Sequence, residues 1–460
     1  MSNVAQDKYP EIPALTGMRF FAAAFVMVAH GAAVLFRFGE RQPAIISWLT
    51  GLAGIGMSLF FVLSGFVIHY NYFDKIRAEG RTGLGKFFLA RFARLYPLFF
   101  LMIATDLWWG STGTGKITDD GRWLWHQALP YYVPMVQAWC FKVIGQNNLI
   151  YQIANNASLT WSISTEWFFY SVYPALVYWF VRLSRASTTL VTTIGYMAVT
   201  YYLISLSIST WPFLNAWGIA HFGPIADVAK FQDSFIRWVF YFSPYARITE
   251  FILGCLACHS FLKLRTVQIN SWERIFGQIL QALAIGGALM LYWGMFVRKP
   301  VFIGAPLNLV FGLAPLMATI IFCCARYQTR ITRFLGLPIL IYGGKISYGI
   351  YLTHFLVFIE LSRFVPPIPS FASYTAVWIV FLAGIVFIIL WSCLVHRFYE
   401  MPIRALIRQA TSKELKQFRF YLELLIPIVV ALLVLHLILV ITLKNHLGQR
   451  IVESTISLLQ

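Results

Sequence analysis

The sequence predicts an all-α polytopic membrane protein. Of its 460 residues, 59% are hydrophobic and 12% are charged, and this charged share is about half that of a typical soluble domain. The mean hydropathy is +0.69. Several apolar runs exceed the roughly 18 residues that indicate a membrane span. These observations together exclude a large soluble core.

Apolar runs of about 20 residues predict eleven membrane spans, numbered here in chain order. They cover residues 14–36, 51–73, 93–110, 160–182, 188–209, 239–262, 276–297, 301–324, 339–361, 374–396 and 421–443. The first run is a poor signal peptide, because His30 interrupts it and the chain stays membranous afterwards.

Lys and Arg collect in alternate loops between these spans. The basic loops are 74–92, 183–187, 263–275, 325–338 and 397–420. Because cytoplasmic loops have the excess of Lys and Arg, we expect a multi-pass protein of the cell membrane with a cytoplasmic N-terminus. The net charge of +18 then reflects loops that face anionic membrane lipids, and nucleic acid is not an expected partner. The same clusters also suit an anionic, phosphate-bearing ligand.

Arg19 and His30 lie in span 1, eleven positions apart. Eleven residues are almost three helical turns, so both side chains share one face about 16 Å apart along the axis. Ionisable residues inside a membrane are costly, and they therefore indicate a functional site. The alternative interpretation is an Arg that snorkels to the interface and a His that hydrogen-bonds between helices.

Further ionisable residues follow at depths that the orientation sets. Arg91 and Arg94 share one face at the predicted cytoplasmic start of span 3. Glu166 enters span 4 from outside, which places it near the depth of His30. Arg19, Arg91 and Arg94 thus form a basic cluster toward the cytoplasm, while an imidazole and a carboxylate lie farther out. This arrangement suits transfer from an anionic cytoplasmic donor to an acceptor outside.

Six sequence stretches occur in the order typical of membrane-bound acyltransferase family 3. They are Arg19-x10-His30 in span 1, Ser58–Phe66 in span 2, Arg91–Pro97 opening span 3, Thr160–Tyr170 in span 4, Arg247–Gly254 in span 6 and Ile346–His354 in span 9. An Arg-x10-His match alone is easily met by chance, but six stretches in register are specific. The chain therefore resembles this family of integral membrane O-acyltransferases from residue 14 to about 403.

The resemblance implies a ten-helix acyltransferase-like bundle, to which this chain adds an eleventh C-terminal transmembrane helix. We expect four parts along the chain. They are a membrane acyltransferase domain over 1–403, a basic cytoplasmic linker over 404–420, the extra helix over 421–443 and a short outer tail over 444–460.

The resemblance also implies the chemistry: an acyl group, usually acetyl from acetyl-CoA, moves to a hydroxyl of a cell-surface or lipid-linked glycan. His30 is the expected general base, since imidazole titrates near neutrality, and a covalent acyl-histidine is the less favoured mechanism. Arg19, Arg91 and Arg94 would hold the CoA phosphates. For Arg91 and Arg94, positive-inside topology is the alternative explanation.

Glu166 is expected to orient or charge-stabilise His30. It alternatively binds acceptor hydroxyls or pairs with Arg247. Four further pocket candidates are polar residues for which helix–helix packing is the alternative explanation: Ser64, Ser162, Ser164 and Tyr170. The family motifs add three more pocket candidates, Arg247, Glu250 and His354.

Two other function classes remain open from the sequence. A secondary transporter or exporter of acylated or glycan-linked substrates predicts paired, broken spans in inverted repeats, and no such pattern is found. A membrane glycosyltransferase predicts an acidic outer-loop motif, which is also not found. Neither a metal nor a haem is expected, although Cys255–His259 matches the CxxCH haem-attachment pattern, because that segment lies at a cytoplasmic span end. The oligomeric state stays open.

Overall fold

The fold is taken from a computed structural model of the chain. It describes residues 9–36, 44–112, 119–144, 147–151, 159–230, 233–297, 308–363, 365 and 373–409. The predicted eleventh span 421–443 and the predicted outer tail 444–460 lie outside the described residues, as does most of the basic linker.

Fourteen α-helices make up most of the described chain. They are α1 (Pro13–Leu35), α2 (Ala44–Glu79), α3 (Arg81–Thr112), α4 (Asp119–Tyr132), α5 (Trp161–Phe180), α6 (Ala186–Phe222), α7 (Phe235–Arg237), α8 (Pro244–Leu264), α9 (Ser271–Val297), α10 (Leu313–Arg326), α11 (Arg330–Leu335), α12 (Pro338–Ser362), α13 (Ser373–Val395) and α14 (Met401–Gln409). Short π-helical segments extend three of them: Trp238–Phe242 after α7, Asn308–Gly312 before α10 and His396–Glu400 between α13 and α14.

The predicted outer loop 111–159 contains a small β-ribbon beside helix α4. Strands β1 (Val143–Ile144) and β2 (Asn147–Asn148) pair antiparallel, with Val143 opposite Asn148 and Ile144 opposite Asn147. Asp233 accepts a hydrogen bond from the backbone N–H of Asn148 at 2.7 Å and ties the ribbon to the chain before α7. The class prediction of a helical protein therefore holds, with this one exception in the described loop.

Six of the described helices are long and apolar enough to cross a membrane. The spans that meet this criterion are Pro13–Leu35, Ala44–Glu79, Arg81–Thr105, Ser187–Ser207, Ser271–Gly294 and Thr375–Ile407. Each of the first ten predicted spans overlaps a helix or a π-helical segment, and residues 301–307 of the eighth span lie outside the described residues. The structure thus supports a multi-pass membrane protein, while the count of ten spans plus one stays a prediction.

The prediction of a basic loop at 74–92 is wrong. Helix α2 continues to Glu79 and α3 begins at Arg81, so that Gly80 alone separates them. Gly80 has φ +55°, a left-handed conformation that glycine adopts at little cost. Hydropathy ends a predicted span where basic residues begin, but Lys and Arg are good helix formers. Both helices therefore extend beyond the apolar run, and Pro97 lies inside α3 rather than at its start.

Glycines allow two pairs of helices to pack with their backbones in close contact. A Cβ added at Gly344 of α12 would overlap the backbone carbonyl oxygen of Thr16 in α1. On the other side of the bundle, Gly65 of α2 and Gly254 of α8 face each other's helix backbones in the same manner. Small residues at such crossings are how membrane helices gain packing energy. The α1–α12 crossing is the one that positions His30, because His354 lies on α12.

We expect Gly344→Ala to destabilise the fold, because the added methyl group meets backbone that has no room to move. Overpacking of this kind costs about 1–3 kcal/mol. Thermal unfolding of the purified protein in detergent should show a lower Tm. Gly286→Ala in α9 is the matched control, since nothing lies within 4 Å of its added Cβ. An unchanged Tm for Gly344→Ala would contradict the described packing.

Candidate active site

His30 and His354 form a hydrogen-bonded pair across the α1–α12 crossing. His30 Nδ1 lies 2.9 Å from His354 Nε2, and the two ring planes lie within 10° of parallel with centroids 5.2 Å apart. The edge of Phe355 packs on His30. His354 is fully buried, whereas His30 remains partly exposed. The more accessible imidazole is therefore the one that the sequence predicts to be the base.

A cavity of about 680 Å³, counting its open mouth, lies between α1, α2, α3, α5 and α12. It brings together seven of the twelve residues that the sequence predicts for the site. These seven are Arg19, Ser64, Arg91, Arg94, Ser162, Glu166 and Tyr170. Apolar side chains, among them Phe60 and Phe61, form the rest of its wall. Three cations and one carboxylate thus face one space in the interior of the bundle.

Glu166 is held by two hydroxyl groups on the cavity wall. Ser64 donates a hydrogen bond to Glu166 Oε1 at 3.0 Å, and Tyr170, one turn along the same helix, donates to the same oxygen. Glu166 also interacts electrostatically with Arg19. The expected contact between Glu166 and His30 is not formed. His30 pairs with His354, whereas Glu166 lies with Arg19 and the other arginines of the cavity. The predicted depth of Glu166 near His30 is therefore wrong.

Arg91 is buried between two tyrosines and retains an unused hydrogen-bond donor. Its Nη2 donates to the Tyr72 hydroxyl at 3.0 Å, and its guanidinium lies over the rings of Tyr72 and Tyr170 at 4.9 and 5.8 Å. The buried Nε has no hydrogen-bond partner within the part of the chain that the structure describes. Such a donor is costly unless something binds it. It is therefore a feature that an anionic ligand would satisfy.

A second cavity of about 1,810 Å³, counting the space open to solvent, adjoins the first beside the corner between α2 and α3. We call the first the inner cavity and the second the outer cavity, which lies toward the predicted cytoplasmic side. The two cavities share Arg19, Val67 and Arg91 as wall residues. Lys75, Lys86 and Arg404 add positive charge to the second cavity, together with the carboxylates of Glu11 and Glu79. A ligand with several phosphate groups would meet these cations before it reached the inner cavity.

Tyr351 connects the inner cavity to the histidine pair. Its hydroxyl lies 2.6 Å from Ser162 Oγ and donates to the Leu159 carbonyl oxygen at 3.1 Å. The Tyr351 ring lies on the cavity wall and 6.0 Å from the ring of His354. Neither histidine lines the cavity itself. The pair therefore lies behind the part of the cavity wall that Tyr351 forms.

The three remaining candidates are packed away from the cavity. Arg247 and Glu250 form a fully buried ion pair at 3.0 Å, and the Arg247 guanidinium lies 4.6 Å from the Tyr241 ring centroid. Ser164 accepts a hydrogen bond from the backbone N–H of Ala138 at 3.1 Å, which fixes the outer loop to α5. In this structure these groups join helices and loop to one another, and they line neither cavity.

Sequence reasoning did not select four residues that the structure places at the site: Tyr72, Lys75, Tyr351 and Arg404. Tyr351 had a usable signal, because it is three residues before His354 and so shares its helix face. Lys75 and Arg404 had only the signal of the basic loops 74–92 and 397–420, and the position of Arg404 at the site depends on the π-helical segment between α13 and α14. There Arg404 pairs with the buried Glu400 at 3.0 Å.

Comparison with known proteins confirms the resemblance that the motifs indicate. A family model described as an acyltransferase domain matches residues 12–397. Acyltransferase MdmB of Streptomyces mycarofaciens is 28% identical over 350 residues, which are 75% of this chain and 79% of that protein. Protein 2 in the picA locus of Rhizobium radiobacter is 40% identical over 90 residues, which are 20% of this chain and 41% of that protein. No solved structure gives a significant match.

We expect Glu166→Gln to lower the Tm, because the amide keeps the shape but removes the charge that offsets three arginines. The loss should be about 1 kcal/mol, the difference between a charged and a neutral hydrogen-bond acceptor. Pyrophosphate should raise the Tm of the variant more than that of the parent protein. Glu360→Gln is the control, since its ion pair with Arg363 lies elsewhere. An equal rise in Tm with pyrophosphate for Glu166→Gln and Glu360→Gln would contradict the assigned charge balance.

Proposed function

The chain belongs to the acyltransferase family whose domain covers residues 12–397, and we propose that it acylates a glycan across the cell membrane. The donor is acyl-CoA on the cytoplasmic side, with acetyl as the expected acyl group. The acceptor is a hydroxyl of a cell-surface or lipid-linked saccharide. The observation that supports this proposal best is that the basic cavity and the histidine pair share a neighbour. Tyr351 lines the cavity, and its ring lies 6.0 Å from that of His354, which pairs with His30.

The basic cavities suit the phosphates of CoA. Arg19 and Arg91 line both cavities, and Arg94 lines the inner one. Guanidinium groups form charge-assisted hydrogen bonds with phosphate oxygens, and the Arg91 Nε–H is available for one. Lys75 and Lys86 lie at the mouth of the outer cavity, where they would attract the same anion. The proposal therefore places the nucleotide end of the donor beside these cations.

The acyl group would then extend toward the histidine pair. In the reaction, His30 removes the proton of the acceptor hydroxyl while its oxygen attacks the thioester carbonyl carbon. The carbon–oxygen bond forms, the carbon–sulfur bond breaks, and the proton passes from the imidazolium to the departing CoA thiolate. The products are an O-acyl ester and free CoA. A sugar hydroxyl is a poor nucleophile, which is why a positioned base lowers the barrier.

The direction of transfer follows from the distribution of charge. The outer cavity opens beside the α2–α3 corner with Lys75 and Lys86, and Lys- and Arg-rich segments are cytoplasmic under the positive-inside rule. His30 is almost three helical turns from Arg19 toward the other face. The proposal therefore has the donor enter from the cytoplasm and the acceptor approach from outside.

His30→Ala should abolish glycan acylation, since loss of a general base costs about 10²- to 10⁴-fold in rate. The measurement is mass spectrometry of surface polysaccharide from a deletion strain complemented with each variant. Wild type should restore a mass increase of one acyl unit per modified sugar, and His30→Ala should not. His221→Ala is the control, because His221 is exposed and hydrogen-bonds only to its own helix at Trp217. Normal acylation by the well-expressed His30→Ala variant would refute the assignment of His30 as the general base.

Arg19→Ala should weaken donor binding. Losing a hydrogen bond to a charged group costs about 1.5–3 kcal/mol, which is roughly a 10- to 150-fold rise in Kd for acetyl-CoA. Binding is measured by displacement of a labelled CoA from the detergent-purified protein. Arg182→Ala is the matched control, since Arg182 is exposed and contacts only Tyr178. Equal affinities for the two variants would remove Arg19 from the donor site.

A further inference from the structure

We propose that His354 is a positioning residue that fixes the tautomer of His30 and thereby leaves His30 Nε2 as the basic nitrogen. This inference rests on the proposed function for its kinetic consequence, but not for its geometry.

The Ile350 carbonyl oxygen sets the proton position on His354. His354 Nδ1 lies 3.0 Å from this oxygen, one turn earlier in α12. A carbonyl oxygen only accepts hydrogen bonds, so His354 Nδ1 must have the proton. In a neutral imidazole the other nitrogen is then an acceptor. His354 is fully buried, where a neutral ring is the favoured form.

The same rule fixes the proton position on His30. Its Nδ1 lies 2.9 Å from His354 Nε2. Because that nitrogen of His354 accepts, His30 Nδ1 must donate and must have the proton. His30 Nε2 is then unprotonated, and none of the residues that the structure describes donates a hydrogen bond to it. Free histidine prefers the opposite tautomer in solution, so the pair selects the form with a basic Nε2.

The pair also supports the charged state that proton transfer creates. When His30 Nε2 takes the hydroxyl proton, the imidazolium keeps its Nδ1–H directed at His354 Nε2. No proton has to leave His354, and the planes of the two imidazoles lie within 10° of parallel. His354 would then resemble the orienting member of a triad, with a neutral imidazole in place of a carboxylate.

A second histidine pair supplies an internal reference of opposite tautomer. His259 Nε2 lies 2.9 Å from the Leu183 carbonyl oxygen, and His69 Nε2 lies 3.1 Å from His259 Nδ1. The same rule protonates Nε2 in both rings. The hydroxyl of Tyr173 can then donate to His69 Nδ1 at 3.3 Å. One protein thus has two histidine pairs with predicted tautomers that differ.

The direct test is nitrogen-15 NMR of the full chain labelled at histidine, in detergent and at a pH where imidazole is neutral. The signals of His30 are identified by their loss in His30→Gln. We expect a protonated Nδ1 and an unprotonated Nε2 for His30, and the reverse for His69. An Nε2-protonated His30 in the wild type would overturn the proposal, whether or not any transferase activity is found.

The kinetic test compares His354→Ala with His354→Gln. Alanine removes the acceptor, so kcat should fall by between about 10-fold and 10⁴-fold, the larger figure being the cost of a wrong tautomer in a serine-protease triad. The KM for acetyl-CoA should not change. Glutamine offers a carbonyl acceptor and should recover part of the loss. Wild-type kcat in folded His354→Ala, or equal kcat in both variants, would overturn the proposal. Absence of transfer by the wild type would instead refute the proposed function.

Discussion

The site depends on how closely α1 and α12 approach within the bundle. Gly344 has no Cβ, and the backbone of Thr16 lies where that atom would be. Near the other end of the same crossing, Gly31 lies against the ring of Phe358. Between these contacts the helices are close enough for His30 and His354 to share a hydrogen bond of 2.9 Å. A wider crossing would leave two polar rings unsatisfied in the interior, at a cost of about 1–3 kcal/mol each.

Two buried groups of charges in the bundle differ in how they are balanced. Arg247 and Glu250 neutralise each other in a fully buried pair that lines neither of the two described cavities. Around the inner cavity, by contrast, Arg19, Arg91 and Arg94 share a single carboxylate, Glu166. This excess of positive charge in a low-dielectric interior is unfavourable without an anion. The difference between a paired and an unbalanced group is the physical reason to place the anionic donor at the cavity.

The sequence predicts the helices better than it predicts the depth of Glu166 or which residues meet. The Arg19–His30 spacing fixes one helix face, and the six motifs identify the family that the comparisons confirm. Seven predicted residues line one cavity. However, periodicity does not say which helix lies opposite. The sequence therefore does not predict that His30 pairs with His354 rather than with Glu166. Likewise, hydropathy predicts a loop at 74–92, whereas Lys86 and Arg91 lie within a helix. A basic residue ends an apolar run without interrupting the backbone hydrogen bonds of the helix.

The most direct test of the central claim is the side from which the donor acts. Proteoliposomes would contain the protein, labelled acetyl-CoA on one face and host glycolipid acceptor. Their orientation is scored with a membrane-impermeant thiol reagent on a cysteine placed at Val267, which is 53% exposed in a basic loop. We expect ester formation only when acetyl-CoA is on the same side of the membrane as that loop. Equal labelling from the opposite face would contradict the path from the basic cavity to His30.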